Sequence, residues 1–117
     1  MVARYIFHAC TRAAWVKAKA EGSYGGSADD RRDGFLHFSD LTQIAESTAT
    51  HHAGEKDLVL LVVRVDAVGD ALRWEPSRSG RLFPHLYASL PVAAVVEVLD
   101  LPLDKEGRHV FPSLPEA

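Results

Sequence analysis

The amino-acid sequence predicts a single α+β domain in which two main helices pack on a small, mixed or split β-sheet. The run at residues 58–63 is entirely apolar and has the length of a central strand buried on both faces. Residues 12–20 and 41–49 carry apolar side chains at helical spacing. The remaining short β-rich runs are separated by glycine and proline, which completes the pattern of an α+β fold.

The first part of the chain is predicted to form a strand, a helix and a loop. Residues 2–7 are β-rich and predict a strand that ends at His8. Thr11 can serve as the N-cap of a helix over residues 12–20. Residues 23–33 are rich in glycine and charged side chains, so they predict a loop, and a loop of this length is typical of a lid or binding segment.

A second strand and a second helix are predicted to follow this loop. Residues 35–38 form the strand, and Ser39 or Asp40 caps the helix, which ends at Gly54. The apolar stripe of the helix has the spacing i, i+3, i+4, i+7 and i+8 and consists of Leu41, Ile44, Ala45, Thr48 and Ala49.

The last part of the chain is predicted to be mostly β-structure. Residues 72–75 form a short strand that leads into a turn. Pro84 cannot donate a hydrogen bond within a sheet, so residues 82–87 are predicted to be an edge strand or a loop. Residues 92–99 predict the last strand, and the proline-containing tail is expected to extend over the surface.

Composition bounds the class of protein. The 117 residues are predicted to form one domain, with a core at about residues 3–112. A net charge of −3 argues against general nucleic-acid binding. No segment approaches the roughly 20 apolar residues of a membrane span, and the first twenty residues do not resemble a signal peptide. The single cysteine, Cys10, excludes an intrachain disulfide, so a cytoplasmic location is expected.

Three histidines lie inside short apolar runs from separate parts of the chain. These runs are Tyr5-Ile6-Phe7-His8, Phe35-Leu36-His37-Phe38 and Leu82-Phe83-Pro84-His85-Leu86. A strand that buries its hydrophobic neighbours has little room for an unpaired imidazole. We therefore predict that the three histidines line one polar cavity. The alternative for His8 or His37 taken alone is a core histidine hydrogen-bonded to a backbone carbonyl.

Metal, hydrolase and thiol chemistry find little support in the spacing of residues. The adjacent His51 and His52 would point about 100° apart on a helix, and no His-x-x-His or Cys-x-x-Cys pair occurs, so no metal is expected. No Gly-x-Ser-x-Gly segment marks a serine nucleophile. Cys10 could act as a thiol nucleophile, or it could simply be buried.

Glu75 is the carboxylate that the sequence singles out. It follows Trp74 in a tight turn, where partial desolvation would raise its pKa toward the range of a general acid. The alternative is a surface ion pair with Arg73, Arg78 or Arg81.

Several segments together carry a resemblance to a known family. These are Asp33-Gly34-Phe35-Leu36-His37-Phe38-Ser39, Leu72-Arg73-Trp74-Glu75-Pro76-Ser77-Arg78 and Leu82-Phe83-Pro84-His85-Leu86-Tyr87, with an opening strand and a helix that bears Trp15. Over about residues 3–112 the chain closely resembles the small bacterial family called domain of unknown function 952. That family in turn resembles a compact member of the ADP-ribosyltransferase-like fold, near the RNA 2′-phosphotransferases.

The resemblance implies roles for particular residues. His8 corresponds to a histidine that contacts the NAD ribose, and His37 with Ser39 corresponds to a His-x-x-Ser-like stretch on a second strand. The third motif, often a glutamate, has no clear counterpart, and His85 and Tyr87 stand in its region. This departure favours NAD binding or RNA-phosphate chemistry over transfer of ADP-ribose to a protein side chain.

The resemblance thus implies a domain that binds NAD or another ADP-ribosyl or nucleotide ligand, with transfer from it to an acceptor that the sequence does not identify. The expected catalytic residues are His8, His37, His85 and Glu75. The expected ligand-binding residues are Ser39, Tyr24 and Tyr87, the tyrosines by stacking, and Arg73, Arg78 and Arg81 by gripping phosphate. The alternative is a non-enzymatic ligand-binding or interaction module that retains the fold and the cavity.

Overall fold

Three antiparallel β-sheets and three α-helices make up the fold in the computed structural model, which describes residues 3–77 and 79–115. The strands are β1 (Tyr5–Thr11), β2 (Ser23–Tyr24), β3 (Leu36–His37), β4 (Leu58–Arg64), β5 (Leu72–Pro76), β6 (Leu82–Leu86), β7 (Leu90–Pro91) and β8 (Val95–Leu101). The α-helices are α1 (Arg12–Glu21), α2 (Ala28–Asp33) and α3 (Ile44–His51). Short 3-10 turns occupy Val65–Ala67, Gly69–Ala71 and Val92–Ala94.

The α+β class is confirmed, but the predicted mixed sheet with two helices is wrong. Every strand pairing in the described part of the chain is antiparallel. The physical reason is the order of the strands, because no two neighbouring strands are joined by a single helical crossover of the kind that parallel pairing requires.

The first sheet has the order β1-β4-β8, and its central strand β4 organises the core. Residues 58–63 are buried on both faces, as the apolar run predicts. One face packs against α1 through Trp15 and Ala18, and the other packs against Ile44 of α3. In the tail, Phe111 and Leu114 also pack on this second face. No helix in the described residues is long and apolar enough to cross a membrane.

The second sheet has the order β3-β6-β5, with the proline-containing strand β6 in its centre. The predicted edge or loop position of residues 82–87 is therefore wrong. Pro84 is tolerated in a central strand because it lies opposite Phe38, just after the last residue of β3. The N–H that proline lacks is therefore not needed for the pairing of β3 with β6. Phe38 N donates to Pro84 O at 3.0 Å, and Pro84 cannot return that bond. A backbone bridge between Phe7 and Ser39 joins this sheet to β1.

Several boundaries differ from the predicted ones. Strand β1 continues to Thr11, so His8 lies within the strand and not at its end. The segment 23–33, predicted as a loop, contains β2 and helix α2, and a capping box between Ser27 and Asp30 starts that helix. Helix α2 forms here because a reciprocal cap satisfies the first N–H groups of so short a helix.

Helix α3 and strand β8 begin later than predicted. The N-cap of α3 is Gln43 and not Ser39 or Asp40, because the Asp40 carboxylate accepts hydrogen bonds from Thr42 and closes a turn before the helix. Leu41 consequently lies outside the helix and is exposed. Residues 92–94 form a 3-10 turn, so the last strand starts at Val95.

Candidate functional site

A cavity of about 400 Å³ lies where the first and second sheets meet, and His8, His37 and His85 all line it. We call it the histidine cavity. Its other walls come from α2 with its cap and from α3. The predicted convergence of the three histidines is confirmed. It follows from strand geometry, because His37 and His85 are paired across β3 and β6, and the alternate residues Leu36 and Leu86 point into the core.

His8 uses both ring nitrogens inside the protein. Its Nδ1–H donates to the carbonyl oxygen of His37 at 2.6 Å, and its Nε2 accepts from the Tyr24 hydroxyl at 2.8 Å. Burial lowers the pKa of His8, so the ring is neutral, and these two bonds define its tautomer. His8 therefore links β1 to β2 and β3 by hydrogen bonds. A hydrogen bond between His8 and a ligand would have to replace one of these two bonds.

Tyr24 and Cys10 lie behind this histidine in the hydrophobic core. The Tyr24 ring is buried in the cluster that contains Trp15, so the structure does not place it where it could stack on a ligand in the cavity. Burial raises the pKa of Tyr24 far above its usual range and that of the Cys10 thiol to about 12. A thiol this hard to ionise is a poor nucleophile, which favours the buried alternative for Cys10.

His37 is held between two carboxylates of α2. Its Nδ1 lies 2.6 Å from Asp30 Oδ1, and its Nε2 lies 3.0 Å from Asp33 Oδ2. The hydrogen bond to Asp30 raises the pKa of His37, so the imidazolium form is favoured. Its side chain remains 41% exposed. Because both of its ring nitrogens face carboxylates, His37 is not available as a base.

Asp30 is the site residue that the sequence interpretation missed. Burial disfavours its charged form, but hydrogen bonds from His37 and from the backbone N–H groups of Ser27 and His37 outweigh that effect and hold its pKa well below the usual range. The signal was present in the sequence, because Ser27 followed three residues later by an acidic residue is a capping pattern that predicts a helix start.

His85 is held by Glu75 on the face of the second sheet that carries His37. Its Nδ1 lies 2.8 Å from Glu75 Oε1, and the Tyr87 hydroxyl donates to the same oxygen at 2.6 Å. The bonds from Tyr87 and His85 lower the pKa of Glu75. The predicted general acid with a raised pKa is therefore wrong, because hydrogen bonding to the charged form outweighs the slight desolvation of this carboxylate.

The predicted phosphate-binding arginines separate in space. Arg81 lines the histidine cavity, where its Nη1 lies 3.7 Å from Glu46 Oε2. Arg73 instead lies over the ring of Tyr87, with its Cζ 5.2 Å from the ring centroid, and it does not line the cavity. Arg78 lies outside the described residues.

The two remaining predicted ligand-binding residues, Ser39 and Tyr87, lie in different pockets. Ser39 is buried, lines the cavity and pairs through its backbone with Phe7. Tyr87 lies instead at a shallower pocket of about 220 Å³ beside Phe35. Among residues 3–77 and 79–115, no three His, Cys, Asp or Glu side chains are grouped so that they could hold a metal ion.

A family model and two solved structures match the chain. The family model described as "Protein of unknown function (DUF952)" matches residues 9–98. The crystal structure of protein CC0527 from Caulobacter crescentus is similar, with 43% identity and a TM-score of 0.87 over 91% of this chain and 93% of that one. The solution NMR structure of CC0527 has 44% identity and a TM-score of 0.80 over 89% and 90%. A search of the curated proteins found no match. The chain therefore belongs to the family of proteins of unknown function called DUF952.

Proposed function

We propose that the histidine cavity binds an ADP-ribosyl or related nucleotide ligand, with NAD as the candidate substrate, and that transfer from this ligand follows. The observation that carries the proposal is the convergence of His8, His37 and His85 from three strands on one cavity. A volume of about 400 Å³ falls in the range of small-molecule sites, which is roughly 300–1,000 Å³.

The sheet arrangement supports the same ligand class. The first and second sheets are joined by the backbone bridge between Phe7 and Ser39, and residues of both sheets line the cavity. This arrangement resembles the split sheet of ADP-ribosyltransferase-like domains, and His8 and His37 lie on the two sides of the split.

Arg81 is the proposed phosphate contact. Its ion pair with Glu46 is long, at 3.7 Å, and both side chains are largely exposed. Such a pair contributes little to stability, so the guanidinium can leave the carboxylate for the two oxygens of a phosphate at small cost. Arg32, a second arginine among the described residues of the wall, is paired with both Asp29 and Asp33 and is less free to change partners.

The ring of Phe83 completes the proposed contacts. His37 lies on the cavity wall with both ring nitrogens bonded to Asp30 and Asp33, so it positions these carboxylates and makes no direct bond to the ligand. Phe83 lies two residues from His85 on the same face of β6 and offers an apolar surface to a base.

The test is calorimetric titration of the intact protein with NAD, ADP-ribose and a 2′-phosphorylated nucleotide. Arg81→Ala should weaken binding about 10- to 150-fold, the equivalent of one charge-assisted hydrogen bond, and the loss should shrink as salt rises. Arg64→Ala is the matched control, because Arg64 pairs with Asp66 and does not line the cavity. No binding of any of the three ligands at millimolar concentration would overturn the proposal.

A second candidate function is a non-enzymatic ligand-binding module. The observation that favours it is that His8 and His37 are fully engaged by the protein's own groups, which leaves them as positioning residues. Mass spectrometry of nicotinamide released from NAD separates the two candidates. Release in a protein that binds NAD supports the transferase, and binding without release supports the module.

A further inference from the structure

His85 differs from the other two histidines of the cavity in its hydrogen bonding. Only one of its ring nitrogens has a partner among the described residues, and that partner is Glu75. Strands β5 and β6 are in a register that places Glu75 opposite Phe83 and Arg73 opposite His85. Glu75 and His85 are thus diagonal neighbours on one face of the second sheet, a position from which long side chains reach one another. The observed contact of 2.8 Å joins Glu75 Oε1 to the Nδ1 edge of the imidazole.

This contact determines which nitrogen of His85 carries the hydrogen. Glu75 is ionised, since hydrogen bonds from Tyr87 and His85 lower its pKa, and an ionised carboxylate only accepts. Nδ1 must therefore donate, so the neutral ring has an unprotonated Nε2. Within the part of the chain that the structure describes, no group is hydrogen-bonded to Nε2, although His85 lines the cavity and its side chain is only 14% exposed.

The face of the His85 ring is also in contact with another side chain. Phe35 stacks on His85 with ring centroids 4.0 Å apart and an interplanar angle of 25°. A carboxylate on Nδ1 and an aromatic ring on one face together restrict both rotation and tilt of the imidazole. Such restraint is what a proton-accepting group needs in order to meet a ligand in one orientation.

We propose that His85, oriented by Glu75, is the proton acceptor of the histidine cavity and activates a hydroxyl group, of water or of an alcohol, for attack on the bound ligand. This inference rests on the proposed function. In it, His85 is the base and Glu75 is a positioning residue. His8 and His37 cannot be the base, because neither has a ring nitrogen free to accept a proton.

The oxygen of the hydroxyl forms a bond to the ribose carbon that carries nicotinamide, and the bond from that carbon to the nicotinamide nitrogen breaks. The electron pair of the broken bond leaves with nicotinamide. The proton of the hydroxyl moves to His85 Nε2 and then to solvent. Glu75 remains ionised throughout and stabilises the imidazolium that forms.

The first measurement is the tautomer of His85, by ¹⁵N NMR of the full chain without ligand. Wild-type His85 should have a protonated Nδ1 and an unprotonated Nε2. Glu75→Ala should move the ring toward the tautomer with a protonated Nε2, whereas Glu97→Ala, which removes an exposed carboxylate from β8, should leave it unchanged. A protonated Nε2 in the wild-type protein at neutral pH would overturn the inference.

The second measurement compares nicotinamide release with NAD affinity. His85→Asn retains a donor toward Glu75 and lacks Nε2, so kcat should fall about 10²- to 10⁴-fold while the calorimetric Kd changes little. His109→Asn is the control, because His109 bonds to the carbonyl of Glu55 and does not line the cavity. If the wild-type protein binds none of NAD, ADP-ribose and the 2′-phosphorylated nucleotide, the proposed function fails together with this inference. If NAD binds but is not cleaved, the transfer part of the proposed function fails with this inference. If His85→Asn cleaves NAD as fast as the wild-type protein does, this inference alone fails.

Discussion

The His8 imidazole accepts a hydrogen bond from the Tyr24 hydroxyl at 2.8 Å, in the buried region between β1 and β2. The same ring donates from Nδ1 to the carbonyl oxygen of His37 on β3. One neutral side chain thus connects three strands from three different sheets. Because both nitrogens are satisfied inside the core, His8 contributes to the position of His37 and to the stability of the fold.

The first prediction follows from that contact. Tyr24→Phe should lower the free energy of unfolding by about 1–3 kcal/mol, because it leaves the buried Nε2 of His8 without a donor. Tyr5→Phe removes a hydroxyl from a partly buried tyrosine and should stay within about 0.5 kcal/mol. Urea unfolding of both variants measures the difference. Equal effects of the two substitutions would show that the hydrogen bond between Tyr24 and His8 contributes nothing.

The second prediction concerns pH and the link between His37 and α2. The pKa of His37 is raised in the folded protein by its bond to Asp30, above the ordinary value of 6.5. Its stabilising effect is therefore fully present below pH 6.5 and is lost as pH rises through the raised pKa. The difference in unfolding free energy between wild type and His37→Gln should shrink over that interval.

The other titrating groups around His37 do not reproduce this pattern. The pKa of His8 is lowered, so its effect is present above pH 6.5 and is lost as pH falls, and it is common to both proteins. Asp30 and Asp33 have lowered pKa values and lose their effect only in acid. A difference between wild type and His37→Gln that stays constant from pH 5 to pH 9 would contradict the prediction.

The third prediction separates Asp30 from its neighbour Asp29. Asp30→Ala removes the capping partner of Ser27 and leaves the backbone N–H of His37 without an acceptor, so it should cost roughly 1.5–4 kcal/mol of stability. Asp29→Ala breaks an exposed ion pair with Arg32 and should cost less than about 1 kcal/mol. Thermal unfolding followed by circular dichroism compares them, and similar losses would argue against a structural role for Asp30.

The fourth prediction concerns the central strand. Leu60 has 0% exposure in the cluster that contains Phe7 and Ile44, so Leu60→Ala should cost roughly 2–5 kcal/mol through lost burial and the cavity that remains. Val98 on β8 is 37% exposed, and Val98→Ala should cost less than about 1 kcal/mol. Chemical denaturation gives both values. A cost below about 1 kcal/mol for Leu60→Ala would contradict the packing described.

The local sequence was sufficient for features that depend on one segment at a time. The apolar run at residues 58–63 identified the central strand, because six consecutive apolar residues have the length of a strand that is buried on both faces. The apolar surroundings of His8, His37 and His85 predicted a shared cavity, because a polar ring in such a run needs a polar site to face. The quoted segments also predicted the family.

The tertiary structure alone decided the partners of these residues. Periodicity indicates which face of an element a side chain occupies, but not which group lies opposite it. The contact between Glu75 and His85 depends on the register of β5 and β6, and this contact reversed the expected direction of the Glu75 pKa. The burial of Tyr24 depends on how β2 docks against α1 and β1. Charge state and accessibility are set by such long-range neighbours, because electrostatic and desolvation energies depend on distance in space and not on separation along the chain.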